Sequence, residues 1–169
     1  MAINAFTFVG MYDHALAGTA NVLAKGWAHA SAQGVSEREM LDWRLIDDMQ
    51  PLSFQLQVVC NFSRQWMARV TGLPVPADVA ADLDVAGFQA AIADARAWLG
   101  KLTPENFAGR DDVELTQTIG TGMTLTRTCG HWLTQFATNQ LYFHVTTAYD
   151  ILRSRGVPIG KIDFFAGGL

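Results

Sequence analysis

A chain of 169 residues, half of them hydrophobic and with a formal net charge of -4, is long enough to bury roughly 70% of its unfolded surface around one core without covalent staples. Its Lys plus Arg total of 12 is scattered without a basic stripe, which argues against nucleic acid as a direct ligand. Two cysteines, Cys60 and Cys129, make no disulfide framework.

Each cysteine lies in an apolar setting, so a reduced, buried thiol fits better than a nucleophile, which would need a cue for a lowered pKa. The stretch from Met1 to Ala20 is apolar, but no positive region precedes it, the first lysine being Lys25, and Asp13 and His14 interrupt it. It reads as neither a secretion signal nor a membrane span. The expectation is a cytoplasmic protein with no membrane partner, made of one domain over residues 1–169, without repeats or low-complexity segments.

Val9, Tyr12, Leu16, Ala20, Leu23, Trp27 and Ala30 recur at three- and four-residue spacing, which predicts a first helix of about seven turns closed by Gly34. His14 and His29 project opposite that stripe and are expected to be solvated. Ser36-Glu37-Arg38-Glu39 reads as a capping box opening a short helix through Trp43. After Asp47-Asp48, Pro51 suits the first position of another helix, whose buried stripe is Leu52, Leu56, Val59, Phe62, Trp66 and Val70. Gln55 falls inside that stripe. A buried amide without partners costs about 1–3 kcal/mol, so Gln55 is either satisfied by a neighbour's backbone or part of a polar cluster.

Gly72 to Pro76 breaks this helix. Asp84 caps a third long one, carried by Phe88, Ile92, Ala95, Leu99 and Leu102, with Asp94 and Arg96 outward. Thr103-Pro104-Glu105 starts one short turn before Gly109. The texture then changes: VELTQTI and MTLTRTC alternate apolar or β-branched with polar residues around Gly120-Thr121-Gly122, a hairpin with positive φ available at its turn. A lone hairpin is only marginally stable, so it must lie against the helices.

Gly130 to Ala137 leads into the last long helix, Thr138 to Arg155. At ~100° per residue, Leu141, Val145, Ala148 and Leu152 form its core stripe, and Gln140, His144, Thr147 and Ile151 a second row beside it. His144 therefore stands on the shoulder of the buried face, where it can point between helices. Arg153 and Arg155 suit the helix's negative pole, Gly156 can take the left-handed conformation, and Pro158 stops the helix. In the tail, Val157 to Leu169, the rings of Phe164 and Phe165 are expected to dock on the bundle or on a second copy. The sum is an all-α architecture, four long helices with a small β-hairpin between the third and fourth.

Three runs carry a resemblance: Asp48-Met49-x-Pro51-Leu52-x-x-Gln55, the YFHVTTAY run from Tyr142 to Tyr149 with its continuation to Arg153, and Gly156-Val157-Pro158-x-Gly160-Lys161-x-Asp163. Together they resemble the bacterial domain-of-unknown-function family numbered nineteen ninety-three, grouped with the DinB/YfiT-like metalloenzyme superfamily. The resemblance implies an up-down-down-up four-helix bundle, often a homodimer. It also implies a divalent metal held by three histidines, one on the second long helix and two as HxxxH on the fourth, used in some relatives to activate a thiol cofactor. The chemistry is reasonable, because an i, i+4 pair puts two imidazoles on one helix face and leaves an open coordination position.

This chain departs from the pattern. His144 occupies the place of the second histidine and Gln140 that of the first, and no histidine occurs between His29 and His131. One imidazole with two neutral amides holds a zinc or nickel ion weakly; Asp48 adds a carboxylate only if its loop folds inward. The preferred expectation is a metal-free protein with a small-molecule pocket around His144, Gln140, Gln55 and Asp48. One alternative is a metal- or thiol-cofactor-dependent transferase- or hydrolase-like enzyme. Acid–base work by His144 with Tyr142 or Tyr149 is a further form of catalysis, though both tyrosines project onto the other shoulder. The remaining alternative is a structural role, with His144 a satisfied core histidine and the tail a dimer contact.

Overall fold

The computed structural model describes residues 4–165; Met1 to Ile3 and Ala166 to Leu169, the end of the tail considered above, lie outside the described residues. Four long helices make the frame: α1 (Thr7–Ala32), α3 (Leu52–Thr71), α4 (Val85–Leu99) and α6 (Thr138–Ser154), with a short α2 (Glu37–Leu41) between the first two. Their directions follow from which residues meet. Arg96 pairs with Asp13 and Gln89 with the Ala20 carbonyl, so α4 runs antiparallel to α1. Tyr12 bonds Thr138 and Gly26 packs on Leu152, so α6 runs parallel to α1. Trp66 faces Trp132 while Gln55 faces His144, so α3 is antiparallel to α6. The result is up-down-down-up.

Local chemistry sets most helix ends. Ser36 accepts from the Glu39 N–H and Asp84 from the Gly87 N–H, each a side-chain N-cap. Pro51 is the N-cap of α3, one residue before the helix begins, and α2 stops at Leu41, short of Trp43. At the end of α6, Gly156 takes φ 82°, its N–H reaches the Arg153 carbonyl, and the Val157 N–H reaches the Leu152 carbonyl. That pair is a Schellman closure, with the buried Val157 beside Leu152.

Strands β1 (Glu114–Ile119) and β2 (Met123–Thr128) pair antiparallel around the three-residue turn 120–122, where Gly120 and Gly122 have positive φ. One face carries the exposed hydroxyl pairs Thr116–Thr126 and Thr118–Thr124; the other lays Leu115, Ile119 and Leu125 on the core. The hairpin is further held by the Trp132 indole N–H, which donates to the Leu115 carbonyl at 2.9 Å.

The segment expected to be a lead into the last helix is already helical. A first turn, α5 (Cys129–His131), is capped by the Thr128 hydroxyl, and Trp132–Ala137 continues as a π-helical stretch directly into α6. The wider turn lets Trp132 and Phe136, four residues apart, both reach the Trp66 ring, at 5.2 and 5.4 Å between centroids.

The described part of the tail folds onto its own chain as α7 (Lys161–Phe164). Asp163 accepts from the Gly160 N–H and pairs with Lys25, and Asn21 donates to its carbonyl. Phe164 meets Tyr149, and Phe165 stacks on His14. His14 and His29 are accordingly half-buried and not fully solvated, His29 being bonded to Gln33. No helix among the described residues is long and apolar enough to cross a membrane.

Candidate functional site

Gln55 lies on the buried stripe of α3 and is almost completely enclosed, 2% exposed. Its side-chain nitrogen donates to the Gln50 carbonyl at 3.0 Å. A carbonyl can only accept, so this bond orients the amide and turns Oε1 toward α6, where it lies 2.7 Å from His144 Nδ1. Because Oε1 has no proton to give, Nδ1–H must be the donor. The imidazole is held as the Nδ1–H tautomer, with its Nε2 lone pair outward.

Among the described residues no group bonds Nε2, and no buried side-chain polar atom is left without a partner, so Nε2 opens to solvent. Phe54, Phe62 and Phe143 surround the ring at centroid distances of 6.0, 6.4 and 5.2 Å. Burial among them pushes the His144 pKa below its ordinary value, since desolvation disfavours the charged form. The outcome is a neutral, oriented imidazole, well suited to accept a hydrogen bond. It is a weak general base: behind it stands the neutral Gln55 amide, and among the described residues no carboxylate bonds it to stabilise an imidazolium. Tyr149 instead packs on Phe164, and burial raises the Tyr142 pKa.

Along the same seam, Gln140 is one turn before His144 and lines a groove of about 230 Å³ between α3, the π-helical turn and the hairpin tip. Phe62, Trp66 and Phe136 form its apolar walls; Gln65, Arg69 and Gln117 add polar groups. Phe62 joins the two parts, touching both the groove and His144. Asp48 is exposed in the turn before α3, and no hydrogen bond connects it to His144. The structure thus joins Gln55 to His144 directly, sets Gln140 beside them, and leaves Asp48 outside. The aromatic wall from the π-helical turn was not singled out by sequence reasoning. Its one available signal was the four-residue row Trp132, Phe136, Gln140, His144.

Three histidines would be needed for the metal centre that the resemblance implies, and the donor set does not fit it. Gln55 has both ends of its amide committed, Gln140 is neutral, and no group of three or more His, Cys, Asp or Glu able to hold a metal ion occurs among the described residues. The thiols are equally ill-suited to nucleophilic work: Cys60 is buried and its pKa is pushed up to about 12 by desolvation, and burial also raises that of Cys129. A larger cleft of about 580 Å³ lies between α2 and the start of α4 and shares no residue with the seam. Of its carboxylates Glu37, Asp42, Asp82 and Asp84, the first and last are engaged by backbone N–H groups at that helix start.

Comparison with known proteins follows the same lines. Residues 6–165 match the family described as Domain of unknown function (DUF1993). Among solved structures, the chain is similar to a DinB family member protein from Shewanella denitrificans, with 30% identity and a TM-score of 0.82. The match covers 95% of this chain and 90% of that one. No match was found among curated proteins.

Proposed function

The chain belongs to the DUF1993 family, within a DinB-like bundle, and on that premise we propose that it is a metal-independent binding protein for a small organic molecule. The ligand lies along the α3–α6 seam beside His144. The observation that carries this reading is the relay from Gln50 through Gln55 to His144, which fixes one tautomer and leaves an acceptor nitrogen facing out of an aromatic surround. Such a group recognises a ligand O–H or N–H. Its lowered pKa and lack of a carboxylate partner favour recognition over proton transfer.

The test is nitrogen-edited NMR of His144 during a small-molecule fragment screen, on protein purified without added metal or affinity metal. The expected result is an Nδ1–H imidazole whose Nε2 signal shifts saturably with a hit, and loss of that hit's binding, followed on neighbouring backbone amide signals, in His144→Gln. Stoichiometric zinc or nickel in that preparation overturns the metal-independent reading. Two exposed rings flanking the site, Phe54 and Phe143, favour a second reading, a contact with another copy of the chain. In that case the signals around His144 change with protein concentration and not with ligand.

A further inference from the structure

At the end of the groove remote from His144, Arg69 lies three residues after Trp66 on α3, its guanidinium carbon 5.4 Å from the centre of the Trp66 ring. The side chain is half-buried, and desolvation pulls its pKa down from the ordinary arginine value. Among the described residues no carboxylate forms an ion pair with it. Its side-chain partner is Gln65 Oε1 at 3.5 Å, a long contact. The amide of Gln65 is in turn anchored to Asp78 at 2.7 Å and to the Pro76 carbonyl at 3.1 Å; the exposed Asp78 forms no ion pair with Arg69, and its charge, acting through space, offsets only part of the desolvation.

A cation partly withdrawn from water without a paired counter-ion is disfavoured. The Trp66 face compensates for part of this, and the rest is available to an anion arriving from the groove. One cation and one cavity of about 230 Å³ suit a singly charged group on a small body, since ligand sites for drug-sized molecules are usually about 300 Å³ or more. The walls are flat and aromatic, from Phe62, Trp66 and Phe136, which suits a planar ring. Arg presents a planar fork that matches a carboxylate in two parallel hydrogen bonds.

We propose that this groove binds a small aromatic carboxylate, with the carboxylate on Arg69, the ring laid against the wall that Phe62, Trp66 and Phe136 form, and the Gln117 and Gln140 amides beside it. The inference rests on the reading of the seam as a small-molecule site and names the chemistry that its groove end away from His144 would bind.

The experiment compares trans-cinnamate with trans-cinnamamide, equal in shape and different in charge, by titration against the indole N–H signals of Trp66 and Trp132. Cinnamate is expected to bind saturably and about tenfold or more tighter than the amide, in line with a charge-assisted pair. Arg69→Gln is expected to abolish that preference. Arg69→Lys, which keeps the charge and loses the fork, retains part of it. Unfolding midpoints of both variants check that the bundle is intact, and Arg69→Lys carries the test if Arg69→Gln does not fold. Equal affinity for acid and amide overturns the proposal. So does an acid preference that survives Arg69→Gln, and so does the absence of binding by either probe. In each of these cases a His144 signal that still responds to other fragments leaves the small-molecule reading standing, so the two failures are distinguishable.

Discussion

Helix α6 has two neighbours of different character. Toward α1 and the tail the contact is close and its polar groups are reciprocated: Tyr12 with Thr138, Asn21 and Lys25 with Asp163, Asp163 with the Gly160 N–H. Small residues make it possible. A Cβ added at Gly18 would collide with the Phe164 carbonyl, and one at Gly26 would come within 2.7 Å of Leu152 Cδ2. Toward α3, rings fill the space instead. Trp66, Phe62, Trp132 and Phe136 pack edge to face or tilted at 5.2–6.5 Å, and between such bulky side chains a groove remains. There, among the described residues, His144 Nε2 accepts no hydrogen bond and Arg69 forms no ion pair. The backbones of α3 and α6 approach closely as well, so the two sides differ in side-chain chemistry: glycines admit close neighbours on one, and rings at the π-helical end of the other leave a groove beside them.

The largest effect tests what holds the open side. Trp132→Ala removes a ring 2% exposed and the donor to the Leu115 carbonyl, and should cost about 3–5 kcal/mol in denaturant unfolding. A loss below ~1 kcal/mol would mean that ring packing does not hold the seam together, and the contrast with the α1 side would fail.

An intermediate effect concerns pH. Burial lowers the His144 pKa from 6.5, so between the folded and unfolded values the unfolded chain binds more protons and stability rises with pH. The contribution is therefore fully present above about pH 6.5 and is lost as pH falls through the folded value. Comparing unfolding of the wild type with His144→Gln, the difference should be constant above that point and change in the wild type's disfavour on acidification. A difference that stays flat down to about pH 5 contradicts a desolvated, neutral imidazole.

The smallest effect belongs to the closed side. Lys25→Ala removes an exposed ion pair, whose loss should lower the melting temperature only slightly and not at all in high salt. A large, salt-insensitive drop would show that the latch between α1 and the tail is a principal support of the fold.

The sequence by itself determined the four long helices, the caps at Ser36 of the short α2 and at Asp84 and Gly156 of two long ones, the hairpin about Gly120 and Gly122, and the place of His144 on the shoulder of its helix. These are local properties: a 3.6-residue period, a side chain reaching an N–H three residues on, a glycine that accepts positive φ. It also limited the metal chemistry, because the second long helix contains no histidine. Only the tertiary structure decided the π-helical turn, since nothing within Trp132–Ala137 states that both its rings must reach Trp66. It placed Phe164 against Tyr149 and Phe165 against His14 of the same chain. It decided the His144 tautomer as well, through an amide 89 residues away in sequence. Local rules could place Gln55 on a buried stripe and require a partner for it. The identity of that partner came from the antiparallel packing of α3 on α6, and that packing made one buried glutamine the group that orients the site.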